Sequence, residues 1–197
     1  MDYSLEPKLL TASSCSRAFQ NIFAFNSKFN SDLTVSNDQK TVEWVSNITY
    51  AWLGIETLLT LYDGRFSMDF NIDSMQNYQM GVGFLLLLEL PNGETDCDWG
   101  FYGYLGSSAS AFSYDPSSGD IVSHTDEIIS GLPILKGDSG VITLELNLPK
   151  ESKGEAWFLI DGVETPHIEL PLGAVVRPAA CLLRKKQKIT LDRFLKK

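Results

Sequence analysis

The sequence predicts an all-β protein built as a two-sheet antiparallel sandwich, with a short N-terminal arm or helix. Three observations carry this. About a dozen short β-prone segments recur at the spacing of a sandwich, and no long helical pattern follows residue 30. The stretch Gly137–Gly162 also reads as a β-ribbon. There Ile142, Leu144, Leu146 and Leu148 alternate with Val141, Thr143, Glu145 and Asn147, a period of two that sorts aliphatic and mostly polar side chains onto opposite faces. Pro149 and the polar run Lys150–Gly154 make the connection, Ala156–Ile160 returns, and Asp161-Gly162 is a hairpin-type turn signal.

Residues 1–30 form the predicted arm. Leu9, Leu10, Ala18, Phe19, Ile22, Phe23 and Phe25 supply an apolar side that packs on the body, and Ser13 or Ser14 is placed to cap a short helix. The body spans 31–197. Leu33–Ser36 and Thr41–Val45 flank the turn-prone Asn37–Lys40 and make a hairpin. Short strands follow at Ile48–Leu53 and Thr57–Tyr62, broken by Gly54 and Asp63-Gly64. Arg65–Asp73 puts Phe66, Met68, Phe70 and Ile72 on one face. Met80–Leu88 is apolar throughout and reads as a central strand covered on both sides. Trp99–Tyr104 is an aromatic and glycine strand. Phe112–Tyr114 runs into the turn Asp115–Asp120, and Val175-Val176 with Ala179–Leu183 and Ile189–Phe194 close the series.

Composition narrows the function. With 44% hydrophobic and 21% charged residues, 197 residues can bury a substantial single core. A net charge of −9 opposes general binding to a phosphate backbone, so nucleic acid is not an expected partner. The charge is uneven: seven of the 16 Lys and Arg residues lie in the last fourteen positions. Cys15, Cys97 and Cys181 are widely spaced and odd in number, which favours reduced thiols in a cytoplasmic setting, with Cys181 a buried small hydrophobe. The N-terminus lacks the pattern of a secretory signal, and Val82–Leu88 is too short to span a bilayer. No membrane partner is expected.

The chemistry-bearing residues point away from catalysis. His124 sits among Thr125, Asp126 and Glu127 on a polar loop without a nucleophile motif, and His167 follows Pro166 in a turn; both read as surface positions. Asp69, Asn71 and Asp73 share one strand face, but strand alternation alone explains them as solvated residues, and glycoside hydrolysis needs two carboxylates facing each other across a sugar. Gly81 and Gly83 precede a strand and not a helix, so they form no phosphate loop. Asp96 with Asp98, and Asp115 with Asp120, lack the dense oxygen spacing of a calcium site. No cofactor and no metal are expected. Trp44, Phe66, Phe70, Phe84, Trp157 and Phe158 read as core. Tyr102 and Tyr104 alternate with glycines beside a serine-rich loop, where core packing outweighs a ligand contact.

Taken together, the order of motifs resembles the SPRY (B30.2-like) family from about Leu33 to Phe194. The residues that carry this are Thr41–Trp44, Gly64–Phe70, Met80–Phe84, Asp98–Phe101 and Lys136-Gly137-Asp138, then Trp157–Gly162, Arg177–Ala180 and Ile189–Leu191. Asp161 stands where the family has asparagine, and Arg177 where it has an aromatic before Pro178. The resemblance implies a concanavalin-like jelly roll acting as a non-catalytic protein-interaction module or scaffold. It also implies that a protein or peptide partner is gripped by loops at one edge. Counting from Pro178, Arg184, Lys185 and Lys186 fall in a loop that family members use for partner contact. Three cations there would favour an acidic peptide; an ordinary solvated turn is the equal alternative. The expected surface combines Arg184, Lys185 and Lys186 with loops near Tyr102–Tyr104 and Asp115–Asp120. A carbohydrate-binding sandwich, and an assembly subunit using residues 1–30 as an arm, are the other readings.

Overall fold

The structure, a computed structural model, describes residues 8–9, 22–26, 32–46, 53–76, 79–89, 111–123 and 126–197. Among these residues every regular element is a strand. They are β1 (Lys8–Leu9), β2 (Leu33–Val35), β3 (Thr41–Trp44), β4 (Leu53–Glu56), β5 (Gly64–Ser74), β6 (Gly81–Leu86), β7 (Leu88–Glu89) and β8 (Ala111–Asp115). The rest are β9 (Asp120–Ser123), β10 (Asp126–Ile129), β11 (Gly140–Leu148), β12 (Gly154–Ile160), β13 (Val163–Glu164), β14 (Ile168–Leu170), β15 (Val176–Leu182) and β16 (Lys188–Lys196).

Two antiparallel sheets form a sandwich. One has six strands in the order β10-β9-β8-β6-β15-β4. The other has eight, in the order β13-β12-β11-β5-β16-β3-β2, with β14 also on β12. A separate pair joins β1 to β7. The predicted ribbon is β11–β12, in register from Ile142 opposite Ile160 to Asn147 opposite Glu155. Its closing turn has φ of 50° at Asp161 and 79° at Gly162, the left-handed pair that suits the twist of a two-residue hairpin.

The core lies between the sheets. From the larger sheet come Phe66, Met68, Phe70, Ile72, Ile142, Leu144, Leu146, Phe158 and Ile160; from the smaller come Val82, Phe84, Tyr114, Val176, Ala180 and Leu182. Of the predicted arm, the described Phe25 is wholly buried in this core, and its bridge to Thr57 carries it along β4. The predicted helix around Ser13 or Ser14 lies outside the described residues, as do the 1–7 end of the arm and the Trp99–Tyr104 strand.

Several expectations change. Gly54 does not break a strand; it lies within β4 opposite Cys181 on the outer face. Thr57–Tyr62 is not a strand but continues along β15 through single contacts, Thr57 N to Pro178 O and Leu61 with Val176. The two pieces around Pro178 are one strand, β15. Proline is tolerated there because the regular β4 ladder stops at Glu56 opposite Ala179, one residue short of it. β10 begins at Asp126, where the sequence reads as a polar loop, and β9, β13 and β14 are too short to announce themselves.

Trp157 is not in the core. Its neighbours Phe158 and Ala156 face inward, so strand alternation turns it out, opposite Glu145. Asp69 is not solvated either. It is 8% exposed, accepts from Thr143 Oγ1 at 2.7 Å and pairs with Arg193 Nε at 2.9 Å. A bulge between Leu191 and Phe194 swings Arg193 over it. Asp73 is exposed as expected and accepts from Thr190 Oγ1 at 2.6 Å.

The outer face of the six-stranded sheet is lined by small residues. Gly81, Gly83, Leu85, Ala111, Ser113, Ala179 and Cys181 lie there, and the last five are 0–3% exposed. A Cβ at Gly83 would meet the Phe112 carbonyl oxygen at 1.9 Å, so close backbone approach, and not ligand binding, explains this glycine.

Candidate functional site

One end of the sandwich gathers the connections that bridge the two sheets. β5, β12 and β3 end there and β11 and β16 begin; in the other sheet β8 and β15 end and β6 and β9 begin. Residues 75–76, 79–80, 116–119, 130–139 and 183–187 therefore meet at a common rim.

Arg184, Lys185 and Lys186 occupy the tight turn from β15 to β16, which crosses from the smaller to the larger sheet. Lys185 and Lys186 are exposed and Arg184 is half-buried. Lys186 has φ of 70°, a left-handed conformation that a non-glycine residue adopts only when its surroundings impose it. Those surroundings are visible. Lys186 N donates to Trp44 O at 2.9 Å, Trp44 N donates to Gln187 O at 3.1 Å, and Gln187 N donates to Arg184 O at 3.1 Å.

Gln187, which sequence reasoning passed over, sits beneath this turn with no exposure at all. Its carbonyl oxygen accepts from Leu183 N at 2.6 Å and Arg184 N at 2.8 Å, and its Nε2 donates to Met75 O and Gln79 O, both at 2.9 Å. The signal in the sequence was a lone amide between a charged turn and an apolar strand, which carries no spacing rule.

The other connections are tied in the same way. Ser74 Oγ donates to Asp138 Oδ2 at 2.7 Å, and Met75 N to Asp138 O at 2.8 Å. Leu132 N donates to Gly119 O at 3.0 Å, Leu135 N to Pro116 O at 3.0 Å, and the Tyr114 hydroxyl to Pro133 O. Burial first, then the nearby charges of Asp115, Asp120 and Asp161, push the Tyr114 hydroxyl above its usual range, so it stays a donor. Turn 116–119, loop 130–139, Met75 and Gln79, and turn 183–187 are thus joined by hydrogen bonds into one rim.

Register places the Asp115–Asp120 turn at this same rim. Cys181 on β15 and Tyr114 on β8 flank neighbouring residues at the start of β6, so the two turns are two strand spacings apart, about 10 Å. Their carboxylates differ. Asp115 is 2% exposed, and its Oδ1 accepts from Ser117 N at 2.8 Å and Ser117 Oγ at 2.7 Å; it holds its own turn and presents no carboxylate to a partner. Burial raises its pKa. Asp120 is half-buried opposite it. Tyr102 and Tyr104 lie outside the described residues, as do His124, Asp96 and Asp98.

Away from the rim, His167 stacks on Trp157 with centroids 4.3 Å apart and planes 10° from parallel. Its Nε2 lies 2.8 Å from Glu164 Oε1 and its Nδ1 3.2 Å from Glu155 Oε2. Bonds at both nitrogens suit the imidazolium, and the bond to Glu164 above all raises its pKa. One face of the Trp157 ring is thereby occupied by a protein side chain, and Asp69 and Glu145 on the same sheet face are engaged by Arg193 and Lys197. Among the described residues this face carries no open aromatic platform flanked by unengaged carboxylates. Among the described residues no helix is long and apolar enough to cross a membrane.

No family model matches the sequence, and neither does any curated protein. Solved structures do match in fold. A human SPRY domain superposes with a TM-score of 0.61 at 13% identity, covering 85% of this chain and 96% of its own. The PSpry domain of TRIM65 gives 0.61 at 13% identity over 89% and 91%, and the SPRY domain of human HERC1 gives 0.58 at 12% over 85% and 96%. The β-sandwich of this chain is of the SPRY type, and at these identities the likeness is one of fold.

Proposed function

We propose that this SPRY-type sandwich is a non-catalytic protein-interaction module, working in the cytoplasm, that grips an acidic peptide or partner surface at the rim built around Arg184, Lys185 and Lys186. The observation that carries the reading is the pinned turn: exposed cations stand on a backbone whose C-terminal end is bonded to Trp44 and whose underside is bonded to a buried amide. Such support holds the charges in one conformation, and preorganised charge lowers the ordering cost of binding. The names of the fold neighbours, domains that belong to larger proteins, agree with a module. In this reading residues 31–197 are the binding body and residues 1–30 an arm laid along it. Asp120 is retained at the margin of the surface, and Asp115 serves it only by shaping the turn.

The test is a binding titration of the full chain against a short peptide of alternating glutamate and glycine, repeated at raised salt, with Arg184→Glu/Lys185→Glu/Lys186→Glu alongside. Salt-sensitive binding that the reversed variant loses at unchanged Tm supports the reading. Equal binding by both proteins, or none by the wild type, removes it.

A further inference from the structure

We propose that Gln187 is a positioning residue for partner binding, holding the Arg184–Lys186 turn to Met75 and Gln79 as one rigid edge. The inference rests on the reading of that turn as the binding edge, and adds Met75 and Gln79 to it.

Among the described residues the backbone groups that Gln187 meets are Leu183 N, Arg184 N, Met75 O and Gln79 O. All lie between strands and outside the described sheet ladders, and a buried backbone group left unpaired is costly. Two of them need an acceptor and two need a donor. A carboxamide is the side-chain group that supplies two N–H donors together with an oxygen able to accept twice. A glutamate would serve only the two amides, and a methionine of similar shape would serve none. With the carboxamide in place, the backbone beneath Lys185 and Lys186 has one conformation, and any displacement of the turn is felt at Met75 and Gln79.

A rigid cationic edge binds more tightly than the same charges on a loose loop, because the loop must be ordered on contact. Gln187→Met in the full chain is therefore expected to weaken binding of the glutamate–glycine peptide about tenfold at a temperature where both proteins are folded. The loss should shrink in a Lys185→Ser/Lys186→Ser background, since of the three cations only Arg184 is then left to position. Amide exchange at Leu183 and Arg184 should accelerate. Undiminished affinity overturns the proposal, and so does an equal loss in both backgrounds, which a merely structural role would produce. If Gln187→Met does not fold, Gln187→Glu takes its place, keeping the acceptor for the turn and removing the donors to Met75 and Gln79. If the wild type binds no peptide, the functional reading fails separately. Exchange then decides only whether Gln187 holds the turn: unchanged protection at Leu183 and Arg184 overturns that hold, and faster exchange upholds the rigid edge while its role in binding falls with the functional reading.

Discussion

The guanidinium of Arg177 lies 2.8 Å from the carboxylate of Glu56, with the two side chains only 10% and 12% exposed. The pair clamps β4 to β15, and Arg177 Nη2 reaches Thr60 Oγ1 at 3.4 Å while Asn26 Nδ2 donates to Glu56 Oε1 at 3.2 Å. The pair is thus a buried ionic contact between neighbouring strands. The Nε of Arg177 has no hydrogen-bond partner among the described residues.

Removing one partner of such a pair leaves the other charge buried. Glu56→Gln and Arg177→Ala are each expected to cost about 3–5 kcal/mol. Replacing both with apolar residues of similar volume should cost much less. Urea unfolding of the two single variants and the double variant checks this; additive losses would show that the charges do not act as a pair.

His167 gives the pH dependence. Its folded-state pKa is raised, chiefly by Glu164, so its contribution is fully present below the unfolded value of about 6.5 and fades as pH rises through the higher folded value. Stability from this contact should therefore fall as pH rises from about 6.5 through the higher folded value, modestly because the ring is partly exposed. Following the imidazole by NMR, Glu164→Gln should lower the titration midpoint more than Glu155→Gln does.

Gly83→Ala tests the close approach of β6 and β8. The new methyl would meet backbone at 1.9 Å, so a strand must move, and a loss of about 1–3 kcal/mol or more is expected. At Gly81 the obstacles are the side-chain atoms Ser113 Oγ at 2.2 Å and Cys181 Sγ at 2.7 Å, which can turn aside at smaller cost. Thermal unfolding of the two variants should rank them in that order.

Lys186 tests the pinned turn itself. At φ of 70°, Lys186→Gly should leave Tm unchanged or raise it, while Lys186→Val should lower it by about 1–2 kcal/mol in stability. Equal Tm for both would mean that the turn relaxes away from this conformation.

Much of the larger sheet was legible because its strands carry a strict alternation. Phe66, Met68, Phe70 and Ile72 on β5 and Ile142 to Leu148 on β11 announce both the strands and their inward faces. The two strands do pair, Met68 opposite Leu144. The apolar run of β6 likewise announced burial on both faces, and all six of its residues are buried. Where the pattern is short or mixed the reading lapsed: β9, β13 and β14 offer two to four residues each, and their existence depends on a neighbouring strand to complete their ladders. Trp157 was misplaced because aromatic character was weighed above its place in the alternation.

The sequence alone determined the all-β class, the ribbon, the inward faces of the long strands and the cationic turn, because each is a local pattern of period two or a run of like charges. Tertiary structure decided the rest. It laid Arg193 over Asp69 through a bulge, closed Arg177 onto Glu56, buried Asp115 in its own turn, and set Gln187 beneath Arg184–Lys186. The two ion pairs join residues 124 and 121 apart in the chain, and the burial of Asp115 and Gln187 depends on what the fold packs around their turns. Hydrogen bonds and ion pairs are short-ranged and directional, so only the folded register brings their partners together.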